Sequence, residues 1–470
     1  MPTIPIVSGI YTDSGPDVRV AYPVNMLPVP IASGAGTSYM RPGDGLVQFG
    51  TGPGPDRGGI NWNGVCYRVM GTSLVTVAAD GTVTTIGDVG GSPAELVVMD
   101  YSFDLLGIVS NRALWFYNPT TGDLRRNTSI GTVIDACWID GYWMATDGQF
   151  LVVTDILDPF ATLPFSYNAS ERDPDPINAV IRLRNEVYAL NRNTIEVFDN
   201  IGGGFFPFAP IEGAQIQKGC VGVQASCIFM ETIAFIGGGR NEAPGIYLGV
   251  NATATKISTQ EIDMLLLSYT EQELALRVKI EARNDLNHQL LYVHLPDRTV
   301  VYDAAASQAL NQQVWYTLVS TLSGFAQYRA RNFVWCYDKW VVGDPQSSAI
   351  GYTDRDTGYH WGQKVRWEFS TPIVYNQSNG AIFHDLELVS LPGRIALGLN
   401  PQISTSYTID GMSWSQPKYS FVGTVGNRSK RAAWRQQGIM RNWRVQRFQG
   451  DSDAHLSFIS LEARLEPLAY

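Results

Sequence analysis

The feature that most constrains this sequence is a strand–turn–strand plan repeated along most of its 470 residues. From about residue 55, short apolar or alternating runs are each closed by a Gly, Asp or Asn turn. "YRVMGTSLVTVAADGTVTTIGD" reads as three strands turning at Gly71-Thr72 and Asp80-Gly81. "LLGIVSNRALWFYNPTTGDLRR" repeats the plan with a turn at Asn111-Arg112, and "GYWMATDGQFLVVTDILDP" repeats it at Asp147-Gly148. "NEVYALNRNTIEVFDNIGG", "ETIAFIGGGRNEAPGIYLGVNATATKIS", "HQLLYVHLPDRTVVYDAAAS" and "NFVWCYDKWVVGDPQSSAIGYTD" continue the series. Units recur at about 40–60 residues, so each strand pairs back on its predecessor and the fold class is all-β. Antiparallel meanders at this spacing predict a β-propeller, divergent because no WD or kelch signature occurs, or else a chain of stacked sheets. The turns do not give the number of blades.

After "DRDTGYHWGQKVRWEFSTPIV" the strands lengthen, as in "HDLELVS", "STSYTIDGMSWSQPK" and "HLSFISLEARLEPL". They predict a separate C-terminal β-sandwich. The expected organisation is an extended N-terminal arm over 1–50, a propeller-like domain over 51–360 and a sandwich over 361–470. A short helical insertion is expected near 259–281. There Ser258 with Glu261 and Thr270 with Glu273 form two capping boxes, predicting helices over about 260–267 and 271–278. Met264 to Leu267 are expected to be mostly buried by the neighbouring sheet; a clip between blades and a docking helix both fit.

The arm contains "RVAYPVNMLPVP", in which Pro23, Pro28 and Pro30 exclude a helix or a central strand. Its apolar side chains need a surface to lie on, with Tyr22, Met26 and Leu27 as anchors. That surface is either the chain's own propeller or a partner.

Hydrophobic residues make up 45% and charged residues 17%, which is little charge for a freely solvated surface and suggests that much of it meets protein. No apolar run reaches the ~18–20 residues of a membrane span, and no membrane insertion is expected. The N-terminus lacks a basic segment and an apolar core, so no signal peptide is expected. The five cysteines are widely spaced and the five histidines form no close pairs, which predicts reduced thiols and no zinc site. A net charge of −10 disfavours general nucleic-acid binding, yet suits a wall past which DNA slides.

The catalytic patterns G-x-S-x-G and H-E-x-x-H and the phosphate loop are absent. Gly202–Phe206 and Gly237–Arg240 are glycine-rich but open no helix, so they read as turns. Asp155, Asp158, Asp173 and Asp175 sit near prolines, as turn residues do; a calcium site is the alternative. "TIDGMSW" (Thr408 to Trp414) resembles the Asp box of sialidase-type propellers, but its spacing is one residue short and a hairpin turn explains it. No enzyme activity, cofactor or metal is expected.

The strongest charge feature is "NRSKRAAWRQQGIMRNWRVQRF", with Arg428, Lys430, Arg431, Arg435, Arg441, Arg444 and Arg447 and no acidic residue. Trp434 and Trp443 lie among them. Nucleic-acid contact, an acidic protein partner and solvated strand edges all fit this composition.

"YPVNMLP", "NRNTIEVFDNIGG", "QKGCVG", "SYTEQELA" and "LLYVHLPDRTVVYDAAAS" followed by "WYTL" occur in an order that resembles the tail accessory factors, or packaged-DNA stabilisation proteins, of short-tailed bacteriophages. The resemblance implies a structural protein of the virion tail, made in the host bacterial cytoplasm. It implies a homo-hexameric tail hub beneath the portal and its head-to-tail adaptor, which closes the filled head, anchors tailspikes and the needle plug, and lets genomic DNA pass at ejection without sequence-specific binding. Two other functions remain consistent with the residues: a glycan-binding or glycan-cleaving β-propeller, and a DNA clamp acting through the basic segment.

Overall fold

The structure is a computed structural model that describes residues 3–4, 23–31, 38–156, 158–162, 165–170, 173–376, 379–391, 395, 399–424, 426–427, 430–454 and 456–468. Among these residues the meanders form seven four-stranded antiparallel sheets, each a blade. The innermost strands, in blade order, are Asp56–Trp62, Val98–Tyr101, Asp135–Ile139, Ile177–Leu183, Ser226–Phe229, Lys279–Asp285 and Arg331–Cys336. Each packs against the next, and the last returns to the first, so the blades close into a propeller. Six blades are continuous in sequence. The seventh takes its outer strand, Gly45–Thr51, from the N-terminal side of the expected start at residue 51. The two ends of the propeller are thereby joined by the Ala349–Asp354 to Gly45–Thr51 ladder.

The expected turns hold: Val65–Met70, Ser73–Val77 and Val83–Asp88 are strands joined at Gly71-Thr72 and across Asp80-Gly81. What the turns did not reveal is the innermost strand of blades one to six; that of blade seven, Arg331–Cys336, falls in the expected run "NFVWCYDKWVVGD". These strands carry polar groups, and several, such as Asp56–Trp62 and Asp135–Ile139, bury consecutive residues, so they lack period-2 alternation. Asp100 accepts from the Trp138 amide of the next blade at 2.8 Å, Asp135 from the Val180 amide at 2.8 Å, and Glu281 from the Asn332 and Phe333 amides at 3.0 Å. A carboxyl group from one blade thus satisfies backbone donors of the following one. Blades approach closely: a Cβ on Gly107 would lie 2.3 Å from the Trp143 ring of blade three.

Three helices occur among the described residues: α1 (Gln260–Leu267), α2 (Glu271–Arg277) and α3 (Ala304–Leu310). Both expected helices form, but only Thr270 and Glu273 make a capping box. Thr259, not Ser258, is the N-cap of α1, because the Ser258 hydroxyl donates to Asp263 at 2.6 Å and accepts from the Ile246 amide. Ile262 and Leu266 are buried, whereas Met264 and Leu267 are exposed, so the expectation that Met264 to Leu267 are mostly buried is corrected: two of the four face outward. α3 was not anticipated; Asp303 caps it through the Ala306 amide.

The C-terminal part is a two-layer sandwich. One sheet runs Met26–Pro30, Ser38–Pro42, Ser457–Pro467, Ala381–Leu391, Ala432–Met440, with Thr3–Ile4 pairing on Ser457–Pro467. The other runs Trp367–Ser370, Trp443–Gly450, Gln402–Thr408, Lys418–Phe421. Phe369, Phe383, Trp434, Phe448 and Phe458 fill the space between them. The proline-rich segment is thus the edge of the sandwich sheet, where proline's missing donor is tolerated.

Candidate interaction surfaces

The described part of the N-terminal segment joins the two bodies. Pro23–Asn25 inserts between the outer strand of blade six and the sandwich: the Asn25 and Thr317 amides donate to the Thr317 and Pro23 carbonyls, and Val24 pairs with Glu368 in both directions. Asn25 is buried at a positive φ of 50°. Its amide donates to the Val319 and Arg366 carbonyls and its oxygen accepts from the Val319 amide. Met26 is fully buried in the sandwich core, and Leu27 packs on the propeller with Leu290, Tyr316 and Leu318. Both side chains are core groups of the folded chain and neither is open to a partner. Tyr22 lies outside the described residues.

The basic segment divides sharply. Arg428 lies outside the described residues. Lys430, Arg431, Arg435 and Arg441 are exposed. Arg431 pairs with Glu387 at 3.1 Å. Arg435 lies on the edge strand Ala432–Met440, and Arg441 on the turn that crosses to the other sheet. Arg444 is fully buried, so it is not a surface group. Its guanidinium donates to Gln446 Oε1 at 2.9 and 2.7 Å and to the Gln437 carbonyl at 2.6 Å, and lies 3.8 Å from the Tyr407 ring centre. Burial without a carboxylate partner lowers its pKa to about 10. Arg447 is half-buried and stacks on Trp414 at 3.9 Å. Trp434 is buried, with its indole N–H on the Lys418 carbonyl, so it offers no stacking face. In "TIDGMSW", Asp410 accepts from the Met412 and Ser413 amides at 2.9 and 2.8 Å, the geometry of a turn.

The propeller has two unlike faces. In a four-stranded meander the first and third turns lie at one end, and the second turn and the blade connections at the other. Four ion pairs form on the second-turn face, Arg192 with Glu271, Arg240 with Asp173, Lys256 with Asp263, and Arg329 with Asp344, while Asp88, Arg112 and Asp147 are exposed there and, among the described residues, make none. On the first-turn face of blades one to three, Asp80, Asp104, Asp123, Asp140 and Asp158 are exposed and, among the described residues, make no ion pair. The same face carries exposed apolar side chains, with Phe103 89%, Leu286 80%, and Phe165 and Ile201 68% accessible. A groove of about 540 Å³ lies there between blades two and three, lined by Phe103, Trp138, Trp143 and Ile156 with Asp104 and Asp140.

The axis of the propeller is not an open bore. Gln224, leading into blade five, donates to the Val97 carbonyl at the start of blade two, 3.3 Å away. A hydrogen bond between these blades spans the axis, so a nucleic-acid duplex cannot run through a single chain. Among the described residues no group of three His, Cys, Asp or Glu side chains is placed to hold a metal, and no helix is long and apolar enough to cross a membrane.

Comparison with known proteins agrees with this two-part architecture. Residues 2–358 match the family described as Bacteriophage P22 Gp10, beta-propeller, and residues 366–466 match Bacteriophage P22 Gp10, beta-sandwich. The tail hub protein gp10 of Salmonella phage P22 is 26% identical over 460 residues, covering 93% of this chain and 94% of that protein. Among solved structures, the extracellular domain of a one-component system from B. thetaiotaomicron aligns at a TM-score of 0.43 and 9% identity, over 66% of this chain and 40% of that one. The chain therefore spans about two fifths of that structure's length. A computationally designed protein, Ika8, aligns at a TM-score of 0.33 and 12% identity, over 65% of this chain and 99% of that one.

Proposed function

The chain belongs to the Bacteriophage P22 Gp10 family, with its propeller and sandwich in one polypeptide, and on that premise we propose that it is a structural tail hub of a virion and not an enzyme. The observation that carries this reading is collinearity: both bodies match, in order, a tail hub protein of nearly the same extent. The charge-poor composition fits a protein whose surface is largely covered by others.

In this reading the hub is a homo-hexameric ring that docks on the head-to-tail adaptor beneath the portal. It closes the filled head and holds tailspikes and the needle plug. The DNA path is the space enclosed by the ring of chains, since the axis of each propeller is bridged by Gln224. A net charge of −10 per chain lets a polyanion pass without adhering. The exposed part of the basic segment, Lys430, Arg431, Arg435 and Arg441, is a protein interface. The test is the mass and symmetry of the purified chain, alone and mixed with the portal–adaptor complex of its phage, by light scattering and negative-stain imaging. A six-fold ring on the adaptor is expected; a chain that ignores the adaptor overturns the reading.

A further inference from the structure

The charge of this chain is divided between its two bodies. Residues 361–470 hold 12 Lys and Arg against 8 Asp and Glu, a net of +4, whereas residues 1–360 hold 22 against 36, a net of −14. Position sharpens this division. Met26–Pro30 is the sandwich edge beside the propeller, and the basic strand Ala432–Met440 is the opposite end of the same sheet. Lys418–Phe421 is likewise the far end of the second sheet, with Trp367–Ser370 at the near end. The outer edge of the sandwich therefore presents Arg435 and Arg441 beside the exposed apolar side chains Tyr419, Phe421 and Ile439.

The acidic, apolar face of the propeller is its counterpart. The groove between blades two and three combines the exposed carboxylates Asp104 and Asp140 with the exposed Phe103 ring, a set that can receive a guanidinium, beside Trp138, whose ring already carries the Arg182 guanidinium of its own chain. The sandwich is fixed beside blades six and seven, across the propeller from this groove. The basic edge also points away from the propeller it belongs to, so the two surfaces cannot meet within one chain.

We infer that the basic outer edge of the sandwich docks on the acidic groove face, blades two and three, of a second copy of this chain. Different patches on each copy make the contact heterologous, the kind that propagates head to tail and closes into a ring when its rotation permits. The inference rests on the tail-hub reading for its setting, and on charge position for its content.

A charge swap tests it in particles. A phage lacking this gene is complemented from a plasmid with Arg435→Glu/Arg441→Glu, with Asp104→Lys/Asp140→Lys, or with both together. Each variant alone is expected to lower the yield of stable DNA-filled particles by about tenfold or more, as like charges meet across the contact. Both together are expected to restore it, because copies can alternate with each contact complementary. Phe103→Ser probes the groove without changing charge and should also lower the yield. Thermal melts of the purified variants confirm folding. Wild-type yield from the charge variants, or failure of folded variants to rescue one another, overturns the inference and leaves the tail-hub reading standing. Particles whose tails hold no copy of the wild-type chain overturn that reading instead. Self-association of the purified chain at low salt then decides the inference: mass above one chain, lost in each variant and regained in the mixture, upholds it, and a monomer overturns it.

Discussion

Arg444 and Arg435 lie nine residues apart in one basic run, and the structure gives them opposite roles. Arg444 holds the Gln437 carbonyl and Gln446 inside the sandwich. Truncation to Ala leaves those acceptors without donors and opens a cavity, a loss of about 3 kcal/mol or more. Arg435→Ala is expected to stay within about 0.5 kcal/mol, as exposed substitutions do. Paired urea melts measure the contrast. Nothing in the composition of the run separates the two residues; only the alternation of buried and exposed positions along the strands does. Asp135 is a second case. It is buried with backbone amides but no cation, and burial pushes its carboxyl up to about 8. A raised folded-state value favours the protonated form. The stability this contributes is full below the unfolded value of about 4 and is lost as pH rises towards about 8. The wild type should therefore lose stability relative to Asp135→Asn as pH rises across that window. A stability difference that stays flat with pH refutes the assignment.

At the scale of elements, the outer strands and their turns were legible because each closes on a Gly, Asp or Asn that adopts the turn. Gly81 at φ 88° and Gly148 at φ 103° are two such positions. The innermost strands of blades one to six were not legible; in blades two, three and six Asp100, Asp135 and Glu281 interrupt the apolar pattern to satisfy a neighbouring blade. The capping boxes show the same limit. Two S/T-x-x-E patterns stand twelve residues apart, but only the second closes, since Ser258 is engaged by Ile246 and Asp263. Thr270→Ala should cost about 1 kcal/mol in the local stability of α2. Hydrogen exchange should then speed at the Glu273 amide, which now donates to Thr270 at 3.2 Å. Unchanged exchange there means that the cap does not hold the helix.

At the scale of the whole molecule, the segment from Pro23 to Pro42 decides whether the chain is one cooperative unit or two. Its prolines and apolar residues were legible as an extended strip, but its occupancy was not, because the partner surfaces come from residues 290–318 and 367–461, remote in sequence. Met26 and Met40 belong to the sandwich core and Leu27 to the propeller-facing cluster, so removing the segment opens both at once. Asn25 is a buried polar anchor of this join. Its side chain makes three hydrogen bonds to the backbone of Val319 and Arg366, all of which are lost in Asn25→Ala. Two carbonyls and one amide are then left in a buried seam, at about 1–3 kcal/mol each before relaxation. The wild type should unfold in a single calorimetric transition. Asn25→Ala combined with Leu27→Ala should uncouple the bodies, and the trace should split in two. A single transition shifted to lower temperature in the double variant would instead place the coupling elsewhere along the seam, at Val24 and Glu368.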